Sequence, residues 1–244
     1  MIRHRACLAL LGFLPFALAA QDEEDFTDHF PVEKCIFTPF GGNDFFSLQP
    51  GRRTFFNNAR CVAAGECEDR EDLVITVTGE LKKIWIDDDR ERRPVWTRVI
   101  VEHETENGEV KEISRNYFAM CLGSRDVYYF GEDVDIYEDG SVVSHDGAWL
   151  AGRHRAEPGI IMPDSAFLLG QRYYQEVAPG VALDRAEHVD TDLEIDLQAG
   201  NFDDCIEVTE TTPLEPGSES TKFYCPGAGL VVDNDLEAIA IHRY

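Results

Sequence analysis

The residues of this chain that could do chemistry are mostly carboxylates, with few bases near them. One stretch stands out. His154 sits between Arg153 and Arg155, and the apolar loop Pro158–Pro163 with Met162 follows. Arg172, Tyr173, Tyr174, Asp184 and Glu187 come next. A histidine with carboxylates in reach can exchange protons near neutral pH, and arginine and tyrosine suit ligand contacts. We therefore take Arg153, His154, Arg155, Met162, Arg172, Tyr173, Tyr174, Asp184 and Glu187 as candidate ligand-binding residues. The plainer reading is that Ile160, Ile161 and Met162 cap a core while the arginines neutralise nearby acids. His145-Asp146 is a second pair of this kind, an oriented base or simply a polar pair on a strand.

Hard oxygen donors come in three runs, Asp87-Asp88-Asp89, Glu132-Asp133-x-Asp135 and Asp233-Asn234-Asp235. Calcium is the ion such donors suit, although none of the runs fits an EF-hand loop. Glu132, Asp133 and Asp135 form the best candidate metal site, because they adjoin a strand and a tight turn. No other cofactor is indicated. Nucleophile and nucleotide motifs fail. Ser124 and Ser165 lack a G-x-S-x-G elbow, and His103-Glu104 has Asn107 where a zinc protease needs histidine. Gly227-x-Gly229 has no third glycine and no helix after it. Whether the chain is an enzyme stays open, with the balance against.

The elements that must position these residues are strands. Leu73, Ile75 and Val77 alternate with Val74, Thr76 and Thr78, and Val95 to Glu102 repeats the pattern. Asn107-Gly108 and Asp139-Gly140 each sit between extended runs, as two-residue hairpin turns require. The first would set Glu104 opposite Lys111. Residues 150–169, rich in glycine and proline, read as a long connection, and strands resume from 171 to the end. No amphipathic helix longer than about two turns appears. The expected fold is all-β: a single domain, an antiparallel meander of about ten strands forming a closed or strongly curled barrel, stapled by disulfides. Phe37, Phe40, Phe45, Phe46, Phe55 and Phe56, set among Gly41-Gly42 and Pro50-Gly51, either plug one end of its core or line a ligand pocket.

Arg3 and Arg5, the apolar run Ala6–Phe16 and the small-x-small Ala17-Leu18-Ala19 predict a cleaved signal peptide over 1–20. An acidic leader over 21–34 would follow, then one β domain over 35–244. Cleavage would leave 47 acids against 20 bases, a net charge near −27. That balance excludes nucleic acid and anionic membrane surfaces as partners. No integral membrane segment would remain, and the protein would be periplasmic or extracellular. Cys7 would leave with the signal. The six remaining cysteines, none in C-x-x-C, then imply three disulfides. Cys205 and Cys225 each lie ten positions from Glu215, so a symmetric hairpin sets them opposite with Cα atoms about 4.5–5.5 Å apart. Cys61 and Cys67 would close a small loop, which leaves Cys35 with Cys121.

Four phrases follow one another between residues 43 and 235: Phe45-Phe46-Ser47-Leu48-Gln49-Pro50-Gly51, Tyr128–Asp133, Pro158-Gly159-Ile160-Ile161-Met162-Pro163 and Tyr224-Cys225-Pro226-Gly227-Ala228-Gly229-Leu230. They resemble an uncharacterised family of exported bacterial and archaeal proteins. The resemblance implies one exported β domain and transfers no activity, and the cysteines depart from the family pattern. Three functions fit. The first is a non-enzymatic module binding an apolar or cationic ligand or a partner protein. The second is an exported hydrolase or lyase working through His154 and carboxylates. The third is a structural, envelope-associated protein.

Overall fold

The structure, a computed structural model, describes residues 26–87, 92–164 and 169–243. The expected signal, the first five leader residues, Asp88, Asp89 and Ser165 lie outside the described residues. Among the described residues no helix is long and apolar enough to cross a membrane.

The fold is nearly all β, and one antiparallel sheet curls into a nearly closed barrel. Its strands are β1 (Phe37–Thr38), β2 (Arg53–Asn57), β3 (Glu71–Asp87), β4 (Arg92–Glu106), β5 (Glu109–Cys121), β6 (Val127–Glu138), β7 (Ser141–Ser144) and β8 (Trp149–Leu150). They continue as β9 (Glu157–Met162), β10 (Arg172–Tyr174), β11 (Glu176–Val177), β12 (Arg185–Leu197), β13 (Gly200–Thr211), β14 (Glu219–Cys225), β15 (Gly229–Asp233) and β16 (Leu236–His242). Around the barrel they run β10-β12-β13-β14-β15-β16-β2-β3-β4-β5-β6-β9-β11. The described residues thus hold sixteen strands rather than about ten. The excess comes from pieces of two to six residues, too short for alternation to show; the expected connection over 150–169 contains all of β9. One short helix, α1 (Ala59–Ala64), occupies the small disulfide loop and ends on Gly65 in the left-handed region, φ +78°.

Closure depends on a single extended run. β10 pairs with β12, β11 pairs with β9, and Gln175 between them is the point where the run changes partner. The seam is tight at Gly159, where a Cβ would lie 2.4 Å from the Tyr174 carbonyl oxygen and from Gln175 backbone carbon. Gly159→Ala must therefore push the two edges apart. It should cost about 3 kcal/mol or more in urea unfolding, in the upper part of the range for single substitutions. A change under about 0.5 kcal/mol, the size of an ordinary surface substitution, would show that the seam carries no strain.

The predicted bridges are all present. Cys205–Cys225 joins opposite residues of the β13–β14 hairpin at a Cα separation of 4.2 Å, and Cys61–Cys67 and Cys35–Cys121 complete the set. The acidic leader is not loose over its described part. Thr27 donates to the Arg172 carbonyl (3.1 Å) and accepts from the Tyr174 amide (2.8 Å), and Phe30 is buried against Tyr128. The phenylalanine-rich stretch divides its work. Phe37 meets Tyr128 and Phe130 edge-on at 5.1 and 5.0 Å and fills the core, whereas Phe45 and Phe46 line a hollow.

Candidate functional site

Both hairpin turns predicted from Asn-Gly and Asp-Gly form, with Asn107 and Asp139 at positive φ. Past the first, however, the register slips. Thr105 faces Val110, but Glu104 faces Glu112, so Lys111 is an extra residue on β5. Lys111 swings to Glu106 and Glu109, at 3.3 and 3.6 Å. The expected Glu104–Lys111 pair is thereby replaced by two carboxylates side by side. Like charges directly opposite one another destabilise a sheet. Here the bulge turns an acid, rather than a base, toward the inside of the barrel.

That inside is hollow and acidic. A cavity of about 210 Å³ is lined by Glu102 from β4, Glu112, Ser114 and Asn116 from β5, and Tyr129 and Glu132 from β6. Gln175 and Glu176 at the seam, Asp184, Glu210 from β13 and Lys222 from β14 complete the wall. Period two explains the convergence. Asn116 lies opposite Glu132 and Ser114 opposite Val134, so alternate residues of neighbouring strands share the inner face. Lys222 is the one cation of this wall among the described residues, and it is engaged, 2.9 Å from Glu210 and 3.5 Å from Asp233. Gln175 Nε2 donates to the other Glu210 oxygen at 2.6 Å.

The other carboxyls around the lumen are shifted upward, most of them without a cation of their own. Burial, partly offset by Lys222 and reinforced by neighbouring acids such as Glu104, pushes Glu102 up to about 8. Glu104 rises to about 7 through burial and Glu112 beside it, and Glu132 reaches about 7 chiefly through burial. Asp184 and Asp233 are raised by burial, with Glu210 adding to it. Glu104, opposite Glu112 on the neighbouring strand, keeps accessible surface and is not among the residues that line either chamber. Glu176 is the extreme case. It is 5% exposed, its Oε2 has no hydrogen-bond partner, and burial holds it well above the usual carboxylate range. Burial pulls Lys222 the other way, yet Glu210 and Asp233 keep it well above the ordinary lysine range.

Next to the acidic chamber lies an apolar one of about 110 Å³, walled by Phe45, Phe46, Ile75, Ile100, Ile161 and Leu230 among others. The two share Glu102, Phe118, Ile161 and Lys222 as common wall. A greasy chamber and an anionic one thus lie side by side.

Of the candidates named from sequence, Asp184 and Glu132 line the acidic chamber. Arg153, His154 and Arg155 are exposed on the turn between β8 and β9, where Gly152 packs on the backbone of Trp85 and Ile86. No carboxylate is paired with His154 among the described residues. Met162 is buried in the core. Tyr173 is buried with its hydroxyl 3.0 Å from His188 Nε2. Arg172 pairs with Glu187 at 3.0 Å, and Tyr174 packs against Phe26. The metal trio does not converge. Glu132 points inward, whereas Asp133 and Asp135 lie on the outer face with Lys82 (3.1 Å) and Arg115 (2.9 Å). Consecutive strand residues face opposite ways, so Glu132 and Asp133 could not share an ion without a break in the strand. His145 sits 3.1 Å from Asp135 rather than paired with Asp146. Cys61 and Cys67 lie near Asp235, but bonded to each other they offer no thiolate.

Glu102, Glu112, Glu176, Glu210 and Lys222 are not among the candidates the sequence gives, and Asp233 enters there only within an acidic run suited to calcium. Acids on alternate strand positions of an otherwise apolar face, as in Ile100-x-Glu102-x-Glu104, were the available signal. Comparison with protein-family models, with curated proteins and with solved structures finds no match for this chain, so the chemistry of the chamber rests on its own geometry.

Proposed function

We propose that this chain is an exported binding protein whose barrel holds a small organic cation with an apolar body, such as an alkyl or aryl amine. The observation that carries this reading is Glu176, a buried carboxyl with an unpartnered oxygen in a cavity wall where acids far outnumber bases. An incoming ammonium would give that oxygen its hydrogen bond and the neighbouring acids their counter-charge. The apolar chamber would take the hydrocarbon. A bare metal ion suits the wall less well. Among the described residues no three lumen carboxylates bring oxygens within 4.8 Å of one another, as chelation requires. Three disulfides agree with life outside a reducing compartment.

Octylamine and 1-octanol test this by titration calorimetry at pH 7.5. Octylamine should bind at least tenfold more tightly, and Glu176→Gln with Asp184→Asn should remove most of that preference. A cation beside a protonated carboxyl lowers its proton affinity. Binding should therefore release protons, measurable in buffers of different ionisation enthalpy, and affinity should rise from pH 6 to pH 8. Equal binding of amine and alcohol, or binding without proton release, would refute the cation site.

A further inference from the structure

The opposite charge gathers at one rim of the same space. Arg52 precedes β2 and extends its ladder, its carbonyl accepting from the Val77 amide at 2.9 Å. Its guanidinium donates to the Gly227 carbonyl at 2.9 Å and also to that of Ala228. Arg243, exposed just beyond β16, donates to the same Gly227 carbonyl. Two guanidiniums thus meet on one neutral oxygen, and among the described residues no carboxylate is paired with either. In a chain with 47 acids and 22 bases this is an unexpected place for arginines to go without an acid. Asp44, the acid at this rim, turns to Arg125 at 3.7 Å. Burial first, and then repulsion from Arg243, bring Arg52 down to about 10.

The rim is a cavity of about 320 Å³ that shares Ser47, Arg52 and Gly229 with the apolar chamber. Rim, apolar chamber and acidic chamber thus adjoin in that order, and the charge of their walls runs from positive through neutral to negative. The span from rim to floor follows from the ladder. Arg52 adjoins Val77, Val77 lies opposite Ile100, and Glu102 is two residues further along β4. Two strand spacings and two residue rises put roughly 12 Å between the ends.

We propose that the ligand is a zwitterion, an ω-amino acid or a short peptide, with its ammonium among the lumen acids and its carboxylate on Arg52 and Arg243. This rests on the cation-binding reading and adds the second end of the ligand. Paired guanidiniums present planar forks that suit a carboxylate, and the rim is wide enough to admit one. A zwitterion also explains why one cavity carries both charges when a simple amine needs only the floor.

The probes are 8-aminooctanoate, octylamine and octanoate, titrated into the intact protein, Arg243→Gln and Arg52→Lys. Arg243 is exposed, so Arg243→Gln should melt with the wild type and remain a fair comparison. 8-Aminooctanoate should bind wild type at least tenfold more tightly than octylamine. In Arg243→Gln that advantage should vanish while octylamine binds as before or better. Arg52→Lys keeps the charge but loses the fork, and should retain only part of the advantage. If octylamine binds and the zwitterion is no tighter, the carboxylate site is refuted and the cation reading stands. If octanoate alone matches 8-aminooctanoate, the rim is an anion site unconnected with the lumen and the zwitterion is refuted. If neither amine binds, the cation reading itself falls, and this inference with it.

Discussion

Replacing Cys35 and Cys121 together by alanine should lower the free energy of unfolding by about 4–5 kcal/mol, the largest loss expected from any one bridge. The reason is loop length. This bridge spans 86 residues, against 20 for Cys205–Cys225 and 6 for Cys61–Cys67. Lost chain entropy scales with the logarithm of the loop and gives about 4.5, 3 and 2 kcal/mol in that order. The native site adds to the effect. Cys121 is buried, and the bridge ties the segment before β1 to the end of β5, where β1 pairs and Phe37 fills the core. Denaturant unfolding of the three double variants should rank them in this order, and protein made in a reducing cytosol should melt markedly lower than oxidised protein. A long-bridge variant as stable as wild type, or a reversed ranking, would show that the bridges do not act through the unfolded chain.

Stability should also fall as pH rises from about 4.5 to 8, the reverse of what a surface rich in paired carboxylates produces. Glu102, Glu104 and Glu132 hold their protons to about 8, 7 and 7 in the folded state. The unfolded chain releases them near the ordinary glutamate value of 4.5. A group whose folded value lies above its unfolded value stabilises most when both states are protonated. That contribution drains away as pH climbs through the folded value. The window is therefore about pH 4.5 to 8. At about 1.4 kcal/mol for each tenfold change in proton affinity, Glu102 alone accounts for a loss on the order of 4–5 kcal/mol. Asp133, lowered by Tyr117 and Lys82 against the effect of burial, acts in the opposite sense but below pH 3.8, outside the window. Lys222 titrates above it. Urea unfolding at pH 5, 6.5 and 8 should show the decline, and Glu102→Gln with Glu132→Gln should flatten it and raise stability at pH 8. A flat or rising profile in wild type would mean that the lumen acids are fully hydrated and ionised. A bound amine should abolish most of the decline, because it supplies the missing positive charge at high pH.

The cysteine pairing was legible because it depends on local counting. Ten residues on either side of Glu215 place Cys205 opposite Cys225 in any symmetric hairpin, and the β13–β14 register holds without a break from Thr211–Glu219 to Ile206–Tyr224. The all-β class was legible for a similar reason, since alternation and Asn-Gly or Asp-Gly turns are local signals. The lining of the acidic chamber was not. His154 and its arginines stand out by composition and lie on an exposed turn away from that chamber. The acids that line it are hidden by their abundance. Nothing local separates Glu102, inside the barrel, from Glu106, which pairs with Lys111 at the hairpin end.

What the sequence determined by itself was therefore the all-β class, the longer strands and their main turns, three bridges and an overwhelming excess of negative charge. Tertiary structure decided which of those charges face inward. One extra residue, Lys111, moves Glu112 opposite Glu104, and because strand side chains alternate, such a slip changes which face each residue occupies. Closure at Gln175 then brings Asp184, just before β12 at one end of the sheet, against Glu176 and Glu132 at the other, residues of which Asp184 and Glu132 are more than forty positions apart. No local pattern encodes that meeting. It follows from the curl of the whole sheet, and with it come the shared acidic wall and the buried Glu176 oxygen left without a hydrogen bond.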